Sequence, residues 1–205
     1  MTNVWQAPPS RPLLHITRFH PELWVVEGPA ELSIDDGGGL VVDALAGGAT
    51  VWYKPDIFTG DILLQLKLMP IPPVGKNNLN FIFHATEAGG GDILNSSAKR
   101  AGHYPEYHQF PNYIFTFVGP KPGEGHTRMR KNPGFELMAE DMNCHAELGR
   151  EYKIDIAVRQ GHIQAAIDGV LIHDVTDTAP LAGGRIALRT WQTKLVWKEL
   201  YVGAL

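Results

Sequence analysis

The sequence predicts an all-β domain, a sandwich of two antiparallel sheets, and three observations predict it. Apolar and polar residues alternate with period 2 along most of the chain. Turn formers are abundant, with 22 Gly and 15 Pro in 205 residues. No amphipathic helix longer than two turns can be drawn. Short strands joined by many turns need such a composition, whereas a helical protein would be weakened by it. The length and a hydrophobic fraction of 44% suit one domain around one core.

Residues 1–12 read as an irregular arm, because Pro8, Pro9 and Pro12 interrupt a ladder. Shorter strands follow at Trp24–Glu27, Glu31–Ile34, Leu40–Asp43, Thr50–Tyr53 and Asn78–His84. In Asp61–Met69, Ile62, Leu64, Leu66 and Leu68 share one face, and in Glu151–Gln160 so do Tyr152, Ile154, Ile156 and Val158. His162–Ile167 and Val170–Val175 flank Asp168-Gly169, the signature of a type I′ hairpin. Arg185–Trp191 and Leu195–Val202 close the chain, for about a dozen strands in all. Residues 86–134 break this rhythm and read as a loop-rich region lying over a cleft. Its aromatic content argues against disorder.

Several function classes are disfavoured. A net charge of −4 gives no reason to expect nucleic acid or an anionic membrane surface. The single cysteine, Cys144, precludes an internal disulfide. No basic segment precedes an apolar run at the N-terminus and no stretch approaches ~20 apolar residues, so a cytoplasmic, non-membrane protein is expected. A signal peptide trimmed from the sequence would make it periplasmic or secreted. There is no phosphate loop, dinucleotide fingerprint or Gly-x-Ser-x-Gly.

Two stretches concentrate chemistry. His103–Tyr113 gathers His103, His108, Tyr104, Tyr107, Tyr113, Glu106, Gln109 and Asn112, groups able to donate or accept protons. In His126–Phe135, an extended backbone puts Arg128 and Arg130 on one face, where they can grip an anion together. From Lys99 to Lys131, six basic residues (Lys99, Arg100, Lys121, Arg128, Arg130, Lys131) face two acidic ones (Glu106, Glu124). A basic island with aromatics in an acidic chain suits an anionic sugar such as a uronate. Asn78–His84 adds a sheet face: Leu79, Phe81 and Phe83 point one way, while Asn80 and His84 point to a mixed face that would floor a groove. Arg189 and Trp191 join it by alternation. No cofactor is expected. A divalent metal on His84, His103, Glu106 and His108 is the weaker alternative, since no recognised ligand spacing is present.

Tyr107-His108 with Tyr113, the run Arg-x-Arg-Lys-Asn-Pro-Gly-Phe at Arg128–Phe135, and Gly-Arg-Ile-Ala-Leu-Arg at Gly184–Arg189 together resemble a bacterial family. It is the concanavalin A-like jelly-roll domain family found beside rhamnogalacturonan-utilisation genes. More distantly, the layout is similar to 3-keto-disaccharide hydrolase-like domains. The resemblance covers residues 40–205 and implies a jelly-roll sandwich in a sugar context. The expected function is a carbohydrate-active enzyme, a glycoside hydrolase or a lyase, acting on a plant-derived or uronate-containing oligo- or polysaccharide. In that reading His108 is the base, Tyr107 or Tyr113 the acid, and Arg130 with Arg128 the carboxylate clamp. Asn80, His84, His103, Glu106, Gln109, Arg189 and Trp191 bind substrate. The alternative is a non-catalytic carbohydrate-binding module. A homodimer is compatible with either.

Overall fold

The computed structural model describes residues 4–73, 76–119 and 125–205. Lys121 and Glu124 of the basic island lie outside the described residues. Sixteen strands occur among the described residues. In chain order they are β1 (Arg11–Ile16), β2 (Trp24–Glu27), β3 (Glu31–Ile34), β4 (Leu40–Asp43), β5 (Gly48–Tyr53), β6 (Phe58–Thr59), β7 (Ile62–Ile71) and β8 (Asn78–Ala85). There follow β9 (Asn112–Val118), β10 (His126–Asn132), β11 (Glu136–Asp141), β12 (Tyr152–Arg159), β13 (His162–Ile167), β14 (Val170–Thr176), β15 (Gly183–Trp191) and β16 (Lys194–Ala204). The described helices are short 3₁₀ turns, and none is long and apolar enough to cross a membrane.

The strands form two antiparallel sheets packed face to face, the expected jelly-roll sandwich. One runs β14-β13-β12-β7-β16-β4-β3, with β1 paired to β16. The other runs β11-β10-β9-β8-β15-β5-β2, with β6 paired to β15. Alternation decides which side chains meet between them. Leu64, Leu66, Ile154, Ile156, Trp197 and Val202 from the first sheet pack against Val51, Leu79, Phe81, Phe115, Met129 and Leu188 from the second. The β13–β14 hairpin turns through Asp168 (φ 50°) and Gly169 (φ 82°), the two positive values that a type I′ turn requires.

Three sequence expectations need correction. The loop-rich region, residues 86–134, also holds two strands, β9 and β10, and β11 follows at once. β9 is buried on both faces, so its sequence NYIFTFV shows no polar alternation. β10 is the reverse case, with Met129 its one apolar side chain. The arm is shorter than 1–12, because Arg11 and Pro12 already belong to β1, where a register shift at Pro12 on an edge strand spares the missing N–H. Finally, His84 does not face the groove. It sits in a bulge with φ 52°, which turns its ring inward against Phe83 and Tyr113.

Candidate functional site

The outer face of the second sheet is built from cross-strand rows. Trp52, Ala187, Ile82, Ile114 and Arg130 are successive partners across β5, β15, β8, β9 and β10. One step along the strands, the same register aligns Thr50, Arg189, Asn80, Thr116 and Arg128. A third step brings Gly48 and Trp191 on one side and Asn78, Val118 and His126 on the other. The first row is apolar apart from Arg130, and a segment of the chain covers it. The second and third rows floor an open cleft.

The cover is residues 92–110, which place Ile93, Tyr107 and Phe110 on Trp52, Ile82 and Ile114. Arg100 fastens it. Its Nε and Nη2 donate to both oxygens of the buried Glu27 at 2.6–3.0 Å, while Nη1 and Nη2 bond Ser96 Oγ and Ile93 O of its own segment. The Tyr107 hydroxyl donates to Glu27 Oε2 at 2.8 Å. Burial and the Glu27 charge push that phenol's pKa well up, so it stays a donor. Glu106, expected to meet substrate, instead accepts the backbone N–H groups of Ala101 and His103 at 3.0–3.2 Å and shapes the turn.

The cover crosses the sheet edge at Gly102, whose φ is +84°. A Cβ there would strike Gly48 O and sit 2.9 Å from Gly28 Cα. Gly102→Ala is therefore expected to cost at least about 1–2 kcal/mol for the left-handed backbone alone, before the clash. A thermal midpoint lower by about 4 °C or more in a calorimetric scan checks this.

The opposite wall is the β10–β11 hairpin, and here the Asn-Pro-Gly-Phe run finds its physical meaning. Buried Asn132 accepts the Phe135 N–H at 3.1 Å and donates to Asn112 Oδ1 at 3.1 Å. Gly134 (φ 106°) and Phe135 (φ 56°) turn the chain back. The Phe135 ring thereby lies between Arg130, 3.8 Å from its centroid, and His108, stacked at 3.8 Å. Tyr104 packs edge-on to Phe135 and His108 and lies 4.4 Å from the Arg189 guanidinium.

Between these walls is a cleft of about 380 Å³. Asn80, His103, Arg128, Arg130, Arg189 and Trp191 of the predicted residues line it, together with Tyr104, Thr116, His126 and Phe135. No described lining residue is a carboxylate. The other predicted residues are elsewhere. Tyr107 is buried on the underside of the cover, against the sheet. Tyr113 is buried in the core, donating to Asp177 Oδ2 at 2.6 Å. His108 lies behind Phe135, where burial first and then Arg130 and Arg189 lower its pKa to about 4. Gln109 is exposed, and its side chain donates to the Pro105 carbonyl at 3.4 Å. With His84 inward and Glu106 engaged by backbone, the four residues named for a metal do not converge. No group of three or more His, Cys, Asp or Glu able to hold a metal occurs among the described residues.

Of the three arginines, Arg128 is paired with Glu140 across the hairpin. Neither Arg130 nor Arg189 has a carboxylate partner among the described residues; Arg130 bonds Phe135 O at 2.9 Å and Arg189 reaches Gly102 O at 3.5 Å. Burial lowers the pKa of both.

A family model described as a domain of unknown function, DUF6250, matches residues 44–200, more than half of the chain and every residue of the cleft lining. The chain belongs to the DUF6250 family. Solved structures share the fold of this DUF6250 protein. A protein of unknown function with a galectin-like fold from Bacillus subtilis has a TM-score of 0.83 and 24% identity, with 96% of this chain and 97% of that one covered. The carbohydrate-binding module CBM66 from Bacillus subtilis gives 0.65 at 12% identity, covering 89% and 96%. The carbohydrate recognition domain of Emp47p gives 0.66 at 10% identity, covering 97% and 100%. No curated protein matches the DUF6250 chain in sequence.

Proposed function

We propose that this DUF6250 protein is a saccharide-binding domain, with its ligand lying on the outer face of β8, β9, β10 and β15. One observation carries the reading. Arg189 Nε, Asn80 Oδ1 and Thr116 Oγ1 are buried neighbours on three adjacent strands, and none has a partner among the described residues. Buried polar groups left so are costly, and a molecule rich in hydroxyls would complete them. Trp191, 40% exposed at the cleft edge, offers a ring face to a sugar. The carbohydrate recognition named for CBM66 and Emp47p supports the same reading. The resemblance to a family beside rhamnogalacturonan-utilisation genes makes pectic oligosaccharides the first ligands to try.

Catalysis is the second reading, favoured by Tyr104 and His126 standing in one cleft with Asn80, Arg130 and Arg189. β-Elimination uses a base, an acid and cationic stabilisation of the enolate. Hydrolysis by paired carboxylates finds no pair among the described lining residues.

Calorimetric titration with pectic, glucuronic and neutral oligosaccharides, followed by mass spectrometry, separates these readings. Binding without product supports the module, and an unsaturated product supports elimination. Absence of binding across the panel would overturn the proposal. Trp191→Ala is expected to weaken the best ligand about tenfold, or ~1.4 kcal/mol, while changing stability by less than about 0.5 kcal/mol.

A further inference from the structure

We propose that the saccharide bound in this cleft carries a carboxylate, and that Arg189, assisted by Arg130, is its receptor. This rests on the saccharide-binding reading and narrows it to acidic sugars.

The comparison that points to Arg189 is internal to the protein. Three arginine side chains are about nine-tenths or more buried: Arg100, Arg185 and Arg189. Arg100 is forked onto Glu27, and Arg185 donates through Nε and Nη2 to the two oxygens of Asp92, each at 2.6 Å. Each of these two cations thus has its own counter-ion, as burial demands. Arg189 is 4% exposed, yet among the described residues its one hydrogen bond is to the Gly102 carbonyl at 3.5 Å and its Nε has no partner. The Tyr104 ring compensates it only in part.

Its position gives the reason. Arg189 stands mid-strand in the floor of the cleft, beside Asn80; no carboxylate occurs among the described lining residues, and Glu106 acts on Arg189 only through space. Arg130, over Phe135, adds a second cation with no ion-pair partner among the described residues. The chain as a whole is acidic at −4, so this concentration of positive charge is local to the cleft. A guanidinium fork matches a planar carboxylate by geometry as well as by charge.

The test uses the full chain and a glycan array holding neutral, uronate-bearing and sulfated members, with binders measured by calorimetry. The best binder is expected to be a uronate. Methyl esterification of its carboxylates should weaken it about tenfold or more, and raising the salt from 50 to 300 mM should weaken the acid but not the ester. Arg189→Met should abolish the difference between acid and ester. The same variant should unfold at a temperature equal to or above that of the parent, because it removes a buried charge that has no partner in the free protein. A lower midpoint would show instead that Arg189 is structural, and Arg189→Lys, which keeps the charge but not the fork, then reads out acid-over-ester preference in a folded protein. Preference for a neutral or sulfated glycan, or equal affinity for acid and ester, overturns this inference alone. Failure of every glycan to bind overturns the saccharide reading and this inference with it.

Discussion

Arg100→Met is expected to destabilise the protein by about 3–5 kcal/mol, a far larger loss than an exposed arginine would give. The Arg100 and Glu27 side chains are 8% and 1% exposed. With Arg100 removed, the Glu27 carboxylate keeps the Tyr107 hydroxyl and loses its counter-ion in a site that water does not reach. The bonds from Arg100 to Ser96 and Ile93 go at the same time, so the cover over Trp52 and Ile82 is released as well. Urea unfolding monitored by tryptophan fluorescence measures the loss. The double variant Arg100→Met, Glu27→Leu should recover part of it, since two apolar groups replace an orphaned charge. Tyr107→Phe should cost about 1–2 kcal/mol, the loss of one hydrogen bond to a charged acceptor. If Arg100→Met cost under about 1 kcal/mol, the pair would not be what fastens the cover. Because Tyr104 and His103 extend from this same cover, loss of saccharide binding should accompany loss of stability.

Sequence alternation located the strands wherever one face is buried and the other solvated. β7 and β12 are the clearer cases, and their inward residues are those of the core. Alternation disappears where tertiary structure covers the second face. β8 and β9 are buried on both sides because residues 92–110 lie across them, and that cover is not visible in the sequence of either strand. The same cover explains Trp52, which is outward by alternation and wholly buried.

The cleft was half legible for a related reason. Period 2 places Asn80, Arg128, Arg130, Arg189 and Trp191 outward, and all five line it. What alternation cannot supply is the partner. Tyr107 and Tyr113 are withdrawn by Glu27 and Asp177, which lie 80 and 64 residues away in sequence. Arg128 is neutralised by Glu140, opposite it on the next strand. Phe135 lines the cleft as well, and Asn-Pro-Gly before it signals that the chain reverses there and aims the next side chain.

The second large effect expected is loss of stability in mild acid, set by buried histidines. His84 is 1% exposed, and its ring nitrogens make no hydrogen bond of good geometry. Burial lowers its pKa to about 4, against weaker upward pulls from the Leu181 backbone and Asp61. The unfolded chain takes up the proton near pH 6.5 and the folded chain does not until about pH 4. Stability from this group is therefore complete above about pH 6.5 and falls as the pH drops towards 4. At ~1.4 kcal/mol per pKa unit the loss is on the order of 3 kcal/mol. His108, half-buried, and His173, lowered by burial, act in the same direction with smaller effect. The depressed carboxylates of Asp177 and Asp92 also favour the folded state at higher pH, but their contribution is lost only as the pH falls through and below about 4. The two windows can be separated. Urea midpoints measured at pH 7, 6, 5 and 4.5 should decline steadily for the parent protein. His84→Asn keeps a side chain that tolerates positive φ but cannot titrate. It should start lower at pH 7, because of the smaller side chain, and fall less steeply. An unchanged slope between pH 6.5 and 4.5 would show that protonation of His84 does not drive the acid sensitivity.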